Sequence, residues 1–406
     1  MATGPINRPP LPRSVYHRRR LIVASVVTAA VLIAVVAFGS DAPRHRTGGS
    51  SQSGNHQLGK SVPGSNAPPG TAAGFLSPLV PEAPSYLAPG SDPSVLPGPI
   101  LIADKLNNRL IVVDPEGHIR WVWPQAGDLA PGQSFLIPDD AFFSPDGRYV
   151  IATQEDNFVI TVIDIATGKI VWRYGHPGVS GSTAGYLWNP DDAMILRDGT
   201  VISADIKNCR LIEIPDSGEA VSWQEGVVAS CTHNPPRQYG SPNGVFPMPN
   251  GHFLVTEING DWVDEIDTSG HLYWTTHPPQ VYYPSDSNQI GSDRYLTVDY
   301  SSPGQAVIFD QAGQALWRYA PTSGPGELNH PSLGMALPNG DILLTDDHNH
   351  RVIVINPSTN QIVWQYGHDG ISGSAPGYLD NPDGLDPLPP YSYADRYQAG
   401  STQRKR

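Results

Sequence analysis

Acidic and amide residues follow a proline at intervals through the chain after residue 130. The residues at these places are Asp139-Asp140, Asp191-Asp192, Asn243, Ser285-Asp286, Ser332 and Asp383. Carboxylate and amide oxygens are the ligands that a hard divalent cation prefers. A fold that gathers these positions would form a site for Ca²⁺ or another divalent cation. The candidate metal ligands are Asp140, Asp192, Asn243, Asp286 and Asp383.

Two further segments are nearly identical and carry His and Tyr at matching positions. They span residues 174–191 and 366–383, and each contains Tyr-Gly-His, then Gly-Tyr-Leu, then Asn-Pro-Asp. Glycine-rich loops with fixed polar side chains are typical of ligand surfaces. The alternative is two copies of one structural loop, with each His bonded to the backbone. The candidate ligand-binding residues are His176, Tyr186, His368 and Tyr378.

Three more side chains are candidates for ligand binding. His233 and His330 lie in the segments before Pro242 and Pro331, and Lys207 lies in a short loop between two apolar runs. Neither G-x-S-x-G, H-E-x-x-H nor a phosphate-binding loop occurs in the sequence. Because these common catalytic motifs are missing, we favour a non-catalytic binding role and predict no catalytic residue.

The two cysteines, Cys209 and Cys231, show no zinc-binding spacing. In an exported protein two cysteines can form one disulfide. We predict that disulfide, with two free thiols as the alternative.

The chain repeats one unit six times. Tryptophan closes a G-x-x-x-W pattern in four units and a looser pattern in two, and Asp-Gly or Asn-Gly turns recur in step. The prolines that open the units are 42–52 residues apart. A period of this length predicts a propeller or a solenoid. Within each unit, short runs rich in Val, Ile and Leu read as four strands joined by tight turns.

The two ends of the repeat region complete one another. Residues 98–123 supply three strands before the first tryptophan, and residues 381–390 read as a single orphan strand. Joining them makes a complete blade and leaves no sheet edge in the ring. We therefore predict an all-β fold, a six-bladed β-propeller over residues 98–390, closed by its C-terminal strand and followed by a flexible tail, 391–406.

The repeat resembles known propeller families. Asp104…Asn107-x-Arg109, Asp205…Asn208-x-Arg210 and Asp346…Asn349-x-Arg351 resemble the NHL repeat. Residues 164–172 are also similar to the repeat of quinoprotein (PQQ-like) propellers. The resemblance implies a six-bladed NHL-like architecture, and function does not follow from it. The Asp…Arg pairs and tryptophans are interpreted chiefly as packing residues.

In such a ring the proline-linked carboxylates converge on the channel mouth. Six-bladed lactonase-type enzymes hold a divalent ion there, which is a likeness of fold alone, and a hydrated acidic channel is the alternative. An arylsulfotransferase-like enzyme would use a histidine such as His233 or His330 as nucleophile and needs cations nearby. A quinoprotein oxidoreductase typically has eight blades and an adjacent cysteine pair. Both enzymes fit this chain less well.

The N-terminal region reads as an export signal. Residues 21–38 are an unbroken run of apolar and small residues, preceded by Arg13, Arg18, Arg19 and Arg20. Such a run is near the length that spans a bilayer, and the positive-inside rule places the chain after residue 39 outside the cytoplasm. We predict a cytoplasmic basic segment (1–20), one transmembrane signal anchor (21–39) and a disordered Gly/Ser/Pro linker (40–97). Secretion after cleavage is the alternative.

Charge limits the partners. The net charge is −14, and residues 1–60 carry +7, so the rest of the 406-residue chain carries −21. This acidity argues against nucleic acid. We expect a monomeric body at the cell membrane that binds a protein or a cell-envelope glycan as a scaffold module. The alternative is a divalent-metal-dependent hydrolase or lyase at the channel mouth.

Overall fold

The computed structural model describes residues 76–77, 83–218 and 220–394. Every described residue belongs to one compact unit. The predicted basic segment and membrane anchor lie outside the described residues. Among the residues that are described, no helix is long and apolar enough to cross a membrane.

Six four-stranded antiparallel sheets form the blades of a propeller, as the repeat predicts. Blade 1 contains β24 (Pro382–Pro387), β1 (Ile100–Asp104), β2 (Arg109–Val113) and β3 (Ile119–Trp123). Blade 2 contains β4 (Ala141–Phe143), β5 (Tyr149–Gln154), β6 (Val159–Asp164) and β7 (Lys169–Gly175). Blade 3 contains β8 (Pro190–Ile195), β9 (Val201–Asp205), β10 (Arg210–Ile214) and β11 (Trp223–Glu225).

The remaining blades have the same order from the innermost strand outward. Blade 4 contains β12 (Pro242–Pro247), β13 (Phe253–Glu257), β14 (Trp262–Ile266) and β15 (Leu272–Thr276). Blade 5 contains β16 (Pro284–Gly291), β17 (Arg294–Asp299), β18 (Gln305–Phe309) and β19 (Ala315–Tyr319). Blade 6 contains β20 (Gly334–Ala336), β21 (Ile342–Asp346), β22 (Arg351–Asn356) and β23 (Gln361–Gly367).

The C-terminal strand closes the ring, which confirms the prediction from the orphan segment. β24 pairs antiparallel with β1, with Leu385 opposite Ile102 and Asp386 opposite Leu101. Both Leu385 and Ile102 are fully buried. Blade 1 is therefore built from both ends of the propeller, and the innermost strand of every blade has a paired neighbour.

The outer tryptophans tie neighbouring blades together. The indole N–H of Trp223 donates to the carbonyl of Thr268 in the next blade at 3.2 Å. Trp364 makes the corresponding bond from blade 6 to Pro115 of blade 1 at 2.9 Å. These contacts support the interpretation of the tryptophans as packing residues.

Residues at both ends of the described chain, which the sequence predicts as linker and tail, pack against the propeller. Residues 87–92 run along β23, where the backbone N–H of Ala88 donates to the Gln365 carbonyl at 3.0 Å. They supply hydrogen-bond partners to an outer strand that would otherwise be an open edge. At the other end, Tyr393 is fully buried, because its ring packs against Phe142 and Phe246 inside the ring.

Candidate functional site

One acceptor side chain per blade fixes the entry to each innermost strand. In each blade the side chain of the residue that ends the second strand accepts a hydrogen bond from a backbone N–H. The donor lies two residues before the proline that leads into the innermost strand. The acceptors are Asp104, Gln154, Asp205, Glu257, Asp299 and Asp346, and the donors are Asp380, Leu136, Trp188, Gly240, Tyr282 and Asn329. The segment that leads into the innermost strand is therefore held at the same position in all six blades.

Three rings of side chains surround the channel at this end, which we call the channel mouth. The loop ring lies directly after the acceptors: Lys105, Glu155, Ile206, Ile258, Tyr300 and Asp347. The outer ring lies directly after the six prolines: Asp139, Asp191, Asn243, Ser285, Ser332 and Asp383. The inner ring is one residue further in: Asp140, Asp192, Gly244, Asp286, Leu333 and Gly384.

Lys105 holds the charged side of the mouth together. Its ammonium contacts the carboxylate of Asp139 and lies 2.6 Å from Oδ2 of Asp383 and 3.9 Å from Oε2 of Glu155. The hydroxyl of Ser332 donates to the other oxygen of Asp383. Burial lowers the pKa of Lys105, but the carboxylates of Asp383 and Glu155 outweigh it and raise that pKa well above its ordinary value. Lys105 is therefore a permanent cation within the mouth.

Three carboxylates of the inner ring converge below it. The oxygens of Asp140, Asp192 and Asp286 lie within 4.8 Å of one another, and all three residues are buried. Among the described residues none of the three forms an ion pair with Lys, Arg or His. Both oxygens of Asp192 and one oxygen each of Asp140 and Asp286 lack a hydrogen-bond partner. Buried carboxylates without partners are costly, so this cluster must bind protons or a cation.

Three side-chain oxygens approach the bare backbone of Gly244 in the wall of blade 4. A Cβ on Gly244 would lie 2.9 Å from Oδ2 of Asp192, 2.9 Å from Oδ1 of Asp286 and 3.2 Å from Oγ1 of Thr256. The Thr256 hydroxyl is fully buried and also lacks a hydrogen-bond partner. Oxygens from two carboxylates and one hydroxyl therefore surround the same small space, and such a set of hard donors fits Ca²⁺ or Mg²⁺.

The pKa values of the inner-ring carboxyls are raised, as expected for buried acids that lie close to one another. Burial raises the pKa of Asp140 to about 6, and the carboxylate of Asp383 adds to the effect. Burial and the neighbouring carboxylates of Asp140 and Asp191 raise the pKa of Asp192 well above its ordinary value. The pKa of Asp286 is raised in the same way by burial and by Asp192. A bound cation would reverse these shifts by stabilising the ionised forms.

Large apolar side chains stand around the mouth. Trp188 and Tyr282 are two of the backbone donors described above, and their side chains are 45% and 64% exposed. Leu136 at the equivalent place in blade 2 is also exposed, as is Leu106 next to Lys105. The mouth therefore combines buried oxygen ligands with an exposed aromatic and apolar rim, a combination found in binding sites.

The two near-identical loops pack alike, and each ends at an aspartate of the outer ring. The rings of His176 and Tyr186 are 4.1 Å apart, and those of His368 and Tyr378 are also 4.1 Å apart. Arg210 donates to the Tyr186 carbonyl at 3.0 Å, and in the other copy the equivalent arginine contacts the Tyr378 carbonyl. These contacts explain the shared sequence as the packing of one loop type on an arginine.

The other predicted ligand residues lie in three different settings. Lys207 is exposed beside Trp188, to whose carbonyl its backbone N–H donates at 3.0 Å. His330 packs against His348 with ring centroids 4.1 Å apart, next to the outer-ring Ser332. His233 lies 2.9 Å from Glu257 in blade 4.

The remaining predicted residues lie in the outer ring or in the disulfide. Asn243 is part of the outer ring, where its side-chain amide donates to the Ser285 carbonyl at 3.1 Å. Asp383 is tied to Ser332 and Lys105 in the same ring. Cys209 and Cys231 are joined in a disulfide, with their Cα atoms 5.1 Å apart.

Several mouth residues were missed from the sequence: Lys105, Glu155, Thr256, Tyr300 and Asp347. Four of them come directly after the acceptor that ends the second strand of their blade. An alignment of the six units on that acceptor would have identified them as one ring. Nothing in the sequence distinguishes Thr256 from the equivalent Thr153 and Thr345. The hydroxyls of those two residues only accept backbone N–H groups from the neighbouring segment.

Comparisons with known proteins show the fold alone. No protein-family description and no curated protein matches the sequence. A crystal structure of a protein of unknown function from Bacteroides caccae matches with a TM-score of 0.51 and 14% identity, over 72% of this chain and 99% of that chain.

Two further solved structures have lower scores. A chain of a nidogen/laminin complex matches with a TM-score of 0.49 and 12% identity, over 71% of this chain and 97% of that chain. A streptogramin B lyase matches with a TM-score of 0.44 and 15% identity, over 61% and 72%. The six-bladed architecture rests on the sheet topology of this chain itself.

Proposed function

We propose that the protein is a binding module whose channel mouth holds a divalent cation and a ligand above it. The observation that carries the proposal is the set of unpartnered oxygens of Asp140, Asp192, Asp286 and Thr256 around the space at Gly244. The cation would neutralise the buried carboxylates. Lys105 and the exposed aromatic rim would contact the ligand.

The cation is tested by equilibrium dialysis of the purified full-length chain against Ca²⁺ or Mg²⁺ after treatment with a chelator. We expect about one ion per chain and a rise in the melting temperature. Asp192→Asn and Asp286→Asn should lose the ion. Asp198→Asn changes an exposed hairpin aspartate and should retain it.

Gly244→Ala provides a sharper test, because it removes no charge. Its Cβ would occupy the space between Asp192 and Asp286 and should weaken cation binding. A protein that binds neither ion, and whose melting curve is the same with and without them, would contradict the cation part of the proposal.

We propose a protein segment or a cell-envelope glycan as the ligand. Trp188 and Tyr282 offer flat faces on which sugar rings or apolar side chains can pack. Peptide and glycan arrays probed with Ca²⁺ and with chelator would separate the two classes. Trp188→Ala and Tyr282→Ala should weaken binding, whereas Tyr273→Ala, an exposed tyrosine on an outer strand, should not. Equal binding by all three variants would rule out the rim.

A metal-dependent hydrolase or lyase is the second candidate. It is favoured by titratable side chains beside the outer ring, since His330 packs on His348 and lies 4.9 Å from the ring of Tyr300. Such groups can act as general acid or base. Assays with lactone, aryl-ester and phosphate-ester panels test this. Turnover that His330→Ala abolishes would favour the enzyme, and none with any panel would favour the binding module.

We also propose that the propeller is displayed outside the cytoplasm at the cell membrane. The proposal is supported by the apolar run of residues 21–38 and by the Cys209–Cys231 disulfide, a bond typical of oxidising compartments. Protease added to intact cells should digest the propeller. Protection of the chain until the cells are lysed would contradict this location.

A further inference from the structure

Blade 4 departs from a contact that blades 1, 3 and 6 share. In those blades the arginine that begins the third strand donates from Nε to the aspartate that ends the second. The pairs are Arg109–Asp104, Arg210–Asp205 and Arg351–Asp346, at 2.7, 2.7 and 2.8 Å. The same two positions of blade 4 hold Trp262 and Glu257, which are register partners in β13 and β14. The guanidinium that neutralises the acid elsewhere is therefore missing.

His233 of the preceding linker lies against this acid instead. Its Nδ1 is 2.9 Å from Oε1 of Glu257, and its ring stacks on Trp262 with centroids 4.1 Å apart and planes 11° apart. The other oxygen of Glu257 accepts the backbone N–H of Gly240. The Cys209–Cys231 disulfide anchors the linker two residues before His233. The imidazole is thus held in a defined position.

Asp264 adds a second carboxylate that the related blades lack. The equivalent residues two positions into the third strand are Ile111, Ile212 and Ile353. Asp264 is fully buried, and neither of its oxygens has a partner at good hydrogen-bond geometry, although the Glu257 carboxyl and the Thr275 hydroxyl lie beside it. Its Oδ2 lies 3.8 Å from Nδ1 of His233. A buried carboxylate in place of isoleucine is costly unless a cation compensates it.

The charges decide which cation fits. In blades 1, 3 and 6 a guanidinium pairs with the single buried carboxylate at this place. In blade 4 a protonated His233 would balance only one of two carboxylates. A divalent ion bound by a neutral imidazole and both carboxylates would balance the site completely.

The donor set indicates the class of metal. The ligand atoms of His233, Glu257 and Asp264 lie within 4.8 Å of one another. One imidazole nitrogen with two carboxylate oxygens suits Zn²⁺, which binds such ligands at about 2.0–2.2 Å and keeps a fourth position open when the protein supplies three. The channel mouth, in contrast, offers only oxygen atoms from its inner ring.

We propose that His233, Glu257 and Asp264 form a binding site for a transition-metal dication of the Zn²⁺ class, separate from the channel mouth. The site occupies the place at which an arginine clamps the linker in the related blades. The metal would clamp the linker of blade 4 in the same manner and leave one coordination position open to solvent.

The test uses the full-length chain, stripped with a chelator and titrated with Zn²⁺, and with Co²⁺ as a spectroscopic probe. We expect one tight Zn²⁺ per chain and visible Co²⁺ absorption bands that report a nitrogen ligand. His233→Ala should weaken Zn²⁺ binding by at least about 100-fold. Asp264→Ile installs the residue of the related blades, so it should fold and should abolish both the bands and the Zn²⁺-induced rise in melting temperature.

The control is His277→Ala, whose ring packs on Trp262 with centroids 3.5 Å apart and which is outside the three-ligand cluster. Its Zn²⁺ affinity should stay within about twofold of the wild type. The proposal is overturned if the wild type binds no more Zn²⁺ than Asp264→Ile does, or if His233→Ala leaves the Co²⁺ spectrum unchanged. Neither result depends on whether the channel mouth binds Ca²⁺ or Mg²⁺.

Discussion

Replacement of Tyr393 by alanine should destabilise the propeller by about 4–6 kcal/mol. The side chain is fully buried, and its ring centroid lies 5.6 Å from Phe142 and 5.0 Å from Phe246, on two different blades. Its hydroxyl donates to the carbonyl of Gly334, on a third blade, at 2.8 Å. Loss of a buried aromatic ring costs about 3–5 kcal/mol, and the hydrogen bond adds about 1 kcal/mol.

A pair of variants separates the two contributions. Tyr393→Phe removes only the hydroxyl and should cost about 1 kcal/mol. The control is Tyr391→Ala, because Tyr391 is two residues away and only half-buried. The assay is urea unfolding followed by far-UV circular dichroism. With an m value of about 3 kcal/mol/M or more for a chain of this size, Tyr393→Ala should lower the midpoint by about 1 M.

The reasoning fails if Tyr393→Ala and Tyr391→Ala unfold at the same urea concentration. That result would mean that the C-terminal segment does not enter the ring. A large loss for Tyr393→Phe, equal to that of Tyr393→Ala, would instead assign the stabilisation to the hydrogen bond and not to the ring contacts.

Buried charges and the disulfide give three further predictions. Arg351→Ala should lower the free energy of unfolding by about 3–5 kcal/mol, because the side chain is 1% exposed and its loss leaves a buried aspartate without its cation. Arg109→Ala should lower it clearly less, because Arg109 is 17% exposed. Thermal melts of both variants test this order. Burial raises the pKa of Glu225 from 4.5 to about 7, so the folded state retains a proton that the unfolded chain loses. The stability that this group contributes is therefore complete below about pH 4.5 and is lost as the pH rises to about 7. Glu225→Gln should remove this pH dependence, which amounts to about 1 kcal/mol after allowance for the partial exposure of Glu225. An unchanged pH profile in the variant would refute the shift. Joint replacement of Cys209 and Cys231 by serine should cost about 3 kcal/mol, since the bond closes a loop with a sequence separation of 22, and a melt identical to the wild type would contradict it.

The fold was predictable because its signals are local and repeated. Gly199 adopts a φ of 88° in the turn after Asp198, as an Asp-Gly hairpin requires. The same turn chemistry and the same prolines recur in other units, so errors in any one unit did not change the count. The C-terminal strand was identified because it completes a unit that lacks its first strand.

The site was predictable only in part, because convergence is a property of the ring. The carboxylates of Asp140, Asp192 and Asp286 could be named from their prolines. Thr256 could not, since its hydroxyl becomes relevant only through the absence of a side chain at Gly244. Lys105 belongs to blade 1 by sequence but pairs with Asp139 of the entry to blade 2, so its partner depends on how the blades close.

The segments at the two ends were harder still. Residues 83–97 have the composition of a linker, yet Ala88 finds its hydrogen-bond partner on β23, far away in sequence. Asp264 is one of two adjacent acidic residues in β14, and its meaning emerges only from comparison with the isoleucines of three other blades. Substitutions of this kind are visible in the sequence but need the aligned structure to be interpreted.

The packing of Tyr393 inside the propeller bears on the order in which an ion and a ligand would bind at the proposed site. Tyr393 packs against Phe142 and Phe246, which lie two residues along their strands from Asp140 and Gly244 of the inner ring, so we expect ions and water to reach the carboxylates from the mouth. A molecule seated over the mouth would block that route. We therefore expect the proposed ion to bind before the ligand and to leave after it, so that saturating ligand slows the release of the ion.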